Sequence, residues 1–342
     1  WYTYALGAAL AIPIVGTAAL WRHNILTVVN EAVAASSLPA SNHIAAIKLA
    51  ALQTDAQDMS SAQLITAKMN VPVAYKDGCQ QQADAPAAIT CAYGQNNSPA
   101  KTIALVGSSH ATQWLPAFQA IAASHALKIV LITKGGCTFG AVPGSSESCR
   151  QWNKNVIKKL AELRPDAVVT IATRPVPSSL RASSKSYPIE YVPLEFMEQW
   201  KLVEAMGIGI IGIRDNPWFD TDIATCVARH QDKPLNCSLP RKATLLPENP
   251  AIKIKQHFAN LSLIDLTNYL CTDTICPVVS QNILMYRDQH HLSVPYVQSL
   301  TTALEQQIQQ VRPDLLPVKH VGPTILARTP KTLAVAPHRP MP

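Results

Sequence analysis

From residue 102 onward the chain alternates short apolar runs with longer amphipathic ones. The runs "TIALVG" (102–107), "KIVLIT" (128–133), "DAVVTIAT" (166–173), "GIGIIGI" (207–213) and "LSLIDLT" (261–267) are near-continuous Ile, Val and Leu. Strands of that kind belong to a parallel sheet covered on both faces, because neither side of the strand meets water. Between them, 112–125, 150–163 and 195–206 have helical spacing, and a last helix is expected over 294–311, after the turn "HLSVP". Strand–helix alternation predicts an α/β fold: a three-layer α/β/α sandwich around a mostly parallel five-stranded sheet.

The flanks read differently. Residues 1–21, "WYTYALGAALAIPIVGTAALW", carry no charge. As a helix they would extend roughly 31 Å, about one bilayer core. Trp1, Tyr2, Tyr4 and Trp21 stand at its two ends, as interfacial aromatics do. One hydrophobic transmembrane helix is therefore expected ahead of the sheet, as the end of a longer membrane region, with a secretory signal as the competing reading. After it comes Arg22 and then no Lys or Arg until Lys48, which places the downstream part outside the cytoplasm. Residues 22–98, rich in Ala, Ser, Gln and Asn, read as a linking region that packs on the main domain. Residues 99–312 form that domain, and the Pro-rich 313–342 reads as a disordered tail.

Composition narrows the function classes. Net charge is +7 with only 15% charged residues, and much of the excess sits in the tail, at Lys319, Arg328, Lys331 and Arg339. No basic run with interleaved aromatics exists, which argues against nucleic-acid binding. Eight cysteines fall in four close-set couples, Cys79/Cys91, Cys137/Cys149, Cys226/Cys237 and Cys271/Cys276. Eight cysteines allow 105 connectivities. Neighbour pairing is preferred here because each couple brackets a short loop. Zinc-type C-x₂-C spacing is absent, so an oxidising compartment is the better reading.

Two stretches carry the chemistry types. "VGSSHATQW" ends the first strand and puts Ser108 and Ser109 at a strand-to-helix turn, where a hydroxyl is exposed and backbone N–H groups are free. A serine there is, taken alone, a helix cap. "MYRDQHHLS" (285–293) sets Asp288 three residues before His291, a spacing that lets a carboxylate hold an imidazole in one tautomer. Together they make a nucleophile and its base.

"GSSH" and "YRDQHHLS" together resemble the SGNH (GDSL-type) hydrolase superfamily over about residues 100–312. "LCTDTICPVVSQNILMYRDQHHLS" looks closer still to the extracytoplasmic SGNH domains fused to membrane acyltransferase-3 proteins. The resemblance implies Ser109 as nucleophile, with Asp288 and His291 completing the triad. It implies oxyanion donors at the Ser109 N–H, at Gly136 (or Gly135) of "KGGC", and at the block that here reads "TIATRP". The chain departs from the family twice, with Ser108 where Asp is usual and Arg174 where Asn is usual.

By activity, the resemblance implies O-acyl transfer, in the first place acetyl, to a cell-envelope glycan. The acyl group would arrive from an upstream membrane domain, ultimately from acyl-CoA, and the domain itself would need no cofactor and no metal. An esterase on envelope carbohydrate and a non-catalytic glycan-binding domain are the alternatives. His290 reads as a surface histidine or a substrate contact, and His110 as structural or pocket-shaping. Trp114, Trp152 and Trp218 read as core aromatics or sugar-stacking platforms.

Overall fold

The computed structural model describes residues 61–183, 188–230 and 233–316, with Leu20 and His23. The hydrophobic helix expected at 1–21 lies outside the described residues, apart from Leu20. Among the described residues, no helix is long and apolar enough to cross a membrane.

Seven strands form the central sheet: β1 (Gln80–Gln81), β2 (Cys91–Gly94), β3 (Lys101–Gly107), β4 (Leu127–Lys134), β5 (Ala167–Ile171), β6 (Gly209–Ile213) and β7 (Leu261–Ile264). Their order is β1-β4-β3-β5-β6-β7, and every pair along it is parallel. β2 alone runs antiparallel, on the outer edge of β4 beside β1. The five apolar runs are the five inner and right-hand strands, each within a residue or a few of its expected limits. The sheet is wider than the expected five strands because the stretch read as a linking region supplies β1 and β2. Neither carries an apolar run: β1 is two glutamines, and β2 sits at the sheet edge half exposed.

Residue alternation along the strands assigns the two faces. Ile103, Leu105, Ile129, Leu131, Val169, Ile211 and Ile264 point to one side. There they pack against α2 (Leu115–His125), α6 (Val294–Ser299) and α7 (Thr301–Val311), through Phe118, Ile121, Val297 and Leu304. Ala104, Val106, Val130, Ile132, Val168 and Ile210 point to the other. They meet α3 (Glu147–Leu163), α4 (Leu194–Ala205) and α5 (Ala251–Lys255), through Trp152, Leu160, Phe196 and Trp200. Truncating one such residue costs about 2–5 kcal/mol. Mostly parallel sheet with helices on both faces is the expected α/β architecture.

Helix limits moved where capping decided them. The first helical turn, α1 (Ser109–Thr112), begins three residues earlier than hydrophobic spacing indicates, because Ser108 caps it. The final helix is two, α6 and α7, meeting at Leu300. Leu315 and Leu316 are fully buried against the same core, so packing continues past residue 313. All four cysteine couples are disulfides between neighbours.

Candidate active site

Parallel strands place all their carboxyl ends at one rim, and working residues gather there. β3 ends in Gly107, whose φ of +141° is open to glycine and closed to most side chains. The chain turns there into α1. Ser108 supplies the cap, its Oγ accepting the His110 N–H at 3.3 Å. That leaves the hydroxyl of Ser109, the first helical residue, free to point outward.

It points at the loop before α6. Ser109 Oγ lies 2.7 Å from His291 Nε2, and His291 Nδ1 lies 2.7 Å from Asp288 Oδ2. Asp288 Oδ1 also accepts the backbone N–H groups of His290 and His291, at 2.9 and 2.8 Å. Both carboxylate oxygens are thus occupied by one three-residue turn. Burial opposes ionisation of Asp288, but the His291 hydrogen bond and charge and the two backbone donors outweigh it, holding the carboxyl well below the usual carboxylate range. Burial also pushes His291 down, and the neighbouring His110 adds to this against the pull of Asp288, so its pKa falls to about 4. At neutral pH His291 is an unprotonated base.

The loop is held in register by amides rather than charges. Gln113 donates to Asn216 Oδ1 at 2.8 Å and accepts the Leu292 N–H at 2.8 Å. Asn216 Nδ2 donates to the His290 carbonyl at 2.7 Å. Gln113, one turn after Ser109, is therefore tied to the loop after β6 and to the loop that carries His291. Buried amides paired in this way fix position because breaking one bond strands its partner.

The three candidate oxyanion donors, at Ser109, Gly136 and Arg174, line one pocket. No hydrogen bond among the described residues occupies the Ser109 N–H. In the turn after β4, Gly135 donates its N–H to the Gln81 carbonyl at 2.8 Å, while Gly136 lines the pocket in a left-handed conformation, φ +66°. Of the two glycines, Gly136 is the one whose N–H has no partner among the described residues. The Cys137–Cys149 disulfide clamps this turn to α3. Arg174, after β5, lines the same pocket with its guanidinium carbon 5.2 Å from the Trp218 ring centre. Among the described residues no carboxylate pairs with it.

Several members of the site were not read from the sequence. Asp215, after β6, accepts His110 Nδ1 at 2.8 Å and Trp218 Nε1 at 3.1 Å. His110 Nε2 in turn meets His290 Nδ1 at 2.9 Å. Residues 110, 215 and 290 are too far apart in sequence for any spacing rule to join them. Trp218 stacks on His290 and lines the pocket, whereas Trp114 and Trp152 are buried in the two cores. Tyr75, from the stretch read as linking region, accepts from Arg287 at 3.3 Å. Arg287 also lies 3.5 Å from Asp288.

His110, His290 and His291 offer ring nitrogens within 4.8 Å of one another, a set able to hold a metal. His110 Nε2 and His291 Nε2 already serve hydrogen bonds to His290 and Ser109, so an ion taking His291 Nε2 would compete with the serine.

A family model for the SGNH domain (fused to AT3 domains) matches residues 78–306. The chain belongs to that family. The match begins at residue 78, ahead of β1, in agreement with a sheet that starts upstream of residue 99. No curated protein matches the chain. Among solved structures, the lipopolysaccharide acetyltransferase periplasmic domain of Salmonella ser. Paratyphi A is similar at 15% identity and TM-score 0.44, covering 76% of this chain and 99% of that one. A GDSL-like lipase from Bacteroides thetaiotaomicron is similar at 13% identity and TM-score 0.35, covering 64% of this chain and 92% of that one.

Proposed function

We propose that this SGNH domain moves a short acyl group, in the first place acetyl, onto a hydroxyl of a cell-envelope glycan through an acyl-Ser109 intermediate. The observation that carries the reading is the line from Ser109 Oγ through His291 to Asp288, with 2.7 Å at each step, beside the pocket that Gly136 and Arg174 share. His291 takes the hydroxyl proton as Ser109 Oγ bonds to the acyl carbon. The tetrahedral oxyanion is met by the N–H groups of Ser109 and Gly136 and by the Arg174 guanidinium. As it collapses, the donor's oxygen leaves with the proton from His291. A glycan hydroxyl then repeats the sequence from the other side, giving its proton to His291, which returns it to Ser109.

Family membership supports an upstream membrane AT3 domain as the partner that brings acyl groups, drawing on acyl-CoA. Four disulfides support a position outside the cytoplasm, and the family's fusion to AT3 domains supports anchoring at the membrane. Arg174, which no carboxylate pairs among the described residues, and the Trp218 ring beside it are suited to a sugar bearing polar and apolar faces.

The test has two steps. A fluorophosphonate probe should label Ser109, with labelling lost in Ser109→Ala and weakened in His291→Ala. Silence in a folded domain would favour a binding role. The full-length protein is then given an acyl ester and a sugar acceptor, and the products are partitioned between sugar ester and free acid. Acyl groups passing only to water, with acceptor and membrane domain both present, would make the protein an esterase.

A further inference from the structure

Beside the Ser109–His291–Asp288 line runs a second one, Asp215–His110–His290, ending in the same pocket. Each of its bonds needs one donor and one acceptor, and a carboxylate can only accept. Asp215 accepts from Trp218 Nε1 and the Asn216 N–H as well, so it meets His110 Nδ1 as an acceptor. With its Nδ1 donating to Asp215, His110 turns Nε2 to His290 Nδ1, and is assigned there as the acceptor. His290 must then donate from Nδ1, which leaves its Nε2 bare. That nitrogen has no partner among the described residues.

The rings of His290 and His291 stand 4.2 Å apart, centre to centre. Two neighbouring imidazoles, His291 held at Nδ1 by Asp288 and His290 held at Nδ1 by His110, which Asp215 holds in turn, therefore each keep Nε2 out of those contacts. His291 uses its own on Ser109. His290 is fixed in place by stacking on Trp218 and by its backbone carbonyl on Asn216. A base held so firmly, with nothing to accept from, is a built acceptor for one hydroxyl.

Resting on the acyl-transfer reading, we propose that His290 Nε2 accepts a hydrogen bond from the hydroxyl adjacent to the one that attacks. The acceptor is thus recognised as a vicinal diol. One hydroxyl gives its proton to His291 as its oxygen bonds to the acyl carbon and the Ser109 ester bond breaks. The other stays protonated and is held by His290. Water fills the two positions only with two separate molecules, whereas a diol brings both hydroxyls on one framework, so the pair favours the diol over hydrolysis.

The experiment uses the full-length protein with p-nitrophenyl acetate as donor, and compares cyclohexane-1,2-diol with cyclohexanol as acceptors. The native enzyme should acetylate the diol preferentially, by roughly tenfold, the worth of one well-placed hydrogen bond. His290→Ala should lose that preference while Ser109 still takes the fluorophosphonate label, which reports an intact fold and triad. A purely structural His290 would weaken both acceptors alike, and an unchanged preference in the variant would overturn the proposal. Independently, ¹⁵N NMR should show His290 as the Nδ1–H tautomer. An Nε2–H tautomer or an imidazolium at His110 reverses the donor order and sinks it. Failure of the acyl-transfer reading itself looks different: neither acceptor is acetylated, with Ser109 labelled if the protein is an esterase and unlabelled if it only binds, while the NMR signal still decides the tautomer.

Discussion

Ser108 and Ser109 divide two jobs that a single serine at a strand-to-helix turn would have to choose between. Ser108 caps the helix by accepting the His110 N–H, and the Ser109 hydroxyl is thereby left to His291 at 2.7 Å. Ser108→Ala should lower the thermal midpoint, consistent with about 1 kcal/mol for a lost cap, and leave most of the Ser109 labelling. Ser109→Ala should do the reverse, with stability near native and turnover down by on the order of 10⁴-fold or more. Differential scanning calorimetry alongside an ester assay checks both.

Acidity at the site sets a pH window. With the His291 pKa lowered to about 4, the base remains unprotonated well below the range of an ordinary histidine. The acid limb of kcat/KM should fall near pH 4 rather than near 6.5. Stability moves in the same sense. His290, lowered to about 3, and His291 bind fewer protons folded than unfolded between those values and 6.5, so unfolding is favoured as pH drops through that window. Asp288, held below its unfolded pKa, adds to the loss at lower pH still. A pH–rate profile with the acid limb at 6.5 would contradict the burial argument.

Arg174 is the least expected donor. If its guanidinium meets the oxyanion, Arg174→Ala should cost on the order of 10²-fold in kcat with little change in KM. Arg174→Lys should recover only part, since a point charge lacks the fork. Steady-state kinetics on an acetyl ester distinguishes this from a role in substrate binding, which would raise KM.

Tyr75 brings an upstream segment into the site through Arg287, which in turn lies beside Asp288. Burial pushes its phenol up, so it stays protonated at neutral pH. Tyr75→Phe removes a hydrogen bond to a charged group, worth about 1.5–3 kcal/mol, while retaining the ring under Arg287. Turnover should fall by roughly tenfold or more, and the fold should hold by circular dichroism.

Much of the fold was legible because buried parallel strands leave short, β-branched apolar runs, as in "KIVLIT" and "GIGIIGI", too short for buried helices and spaced by helical stretches. β1 and β2 left none. Gln80 belongs to the sheet because its side-chain oxygen accepts from Thr133 at 2.9 Å and from Thr112, contacts made across the fold. Asp288 and His291 were readable because one turn of chain brings them together. Ser109 was readable because it follows a strand. The Gln113–Asn216 pair, the Asp215–His110 pair and Tyr75 were not, since each is made by residues that only the completed sheet brings to one rim. That Gly135 spends its N–H on the Gln81 carbonyl, which favours Gly136 as the donor, shows only in the completed fold.

The measurement that bears most directly on the central claim is mass spectrometry of the protein quenched in acid during turnover of p-nitrophenyl acetate. The account predicts one acetyl group on the peptide containing Ser109, accumulating in His291→Ala slowly or not at all and absent in Ser109→Ala. Turnover with no acetylated Ser109, or with the acetyl group on a different side chain, would contradict it.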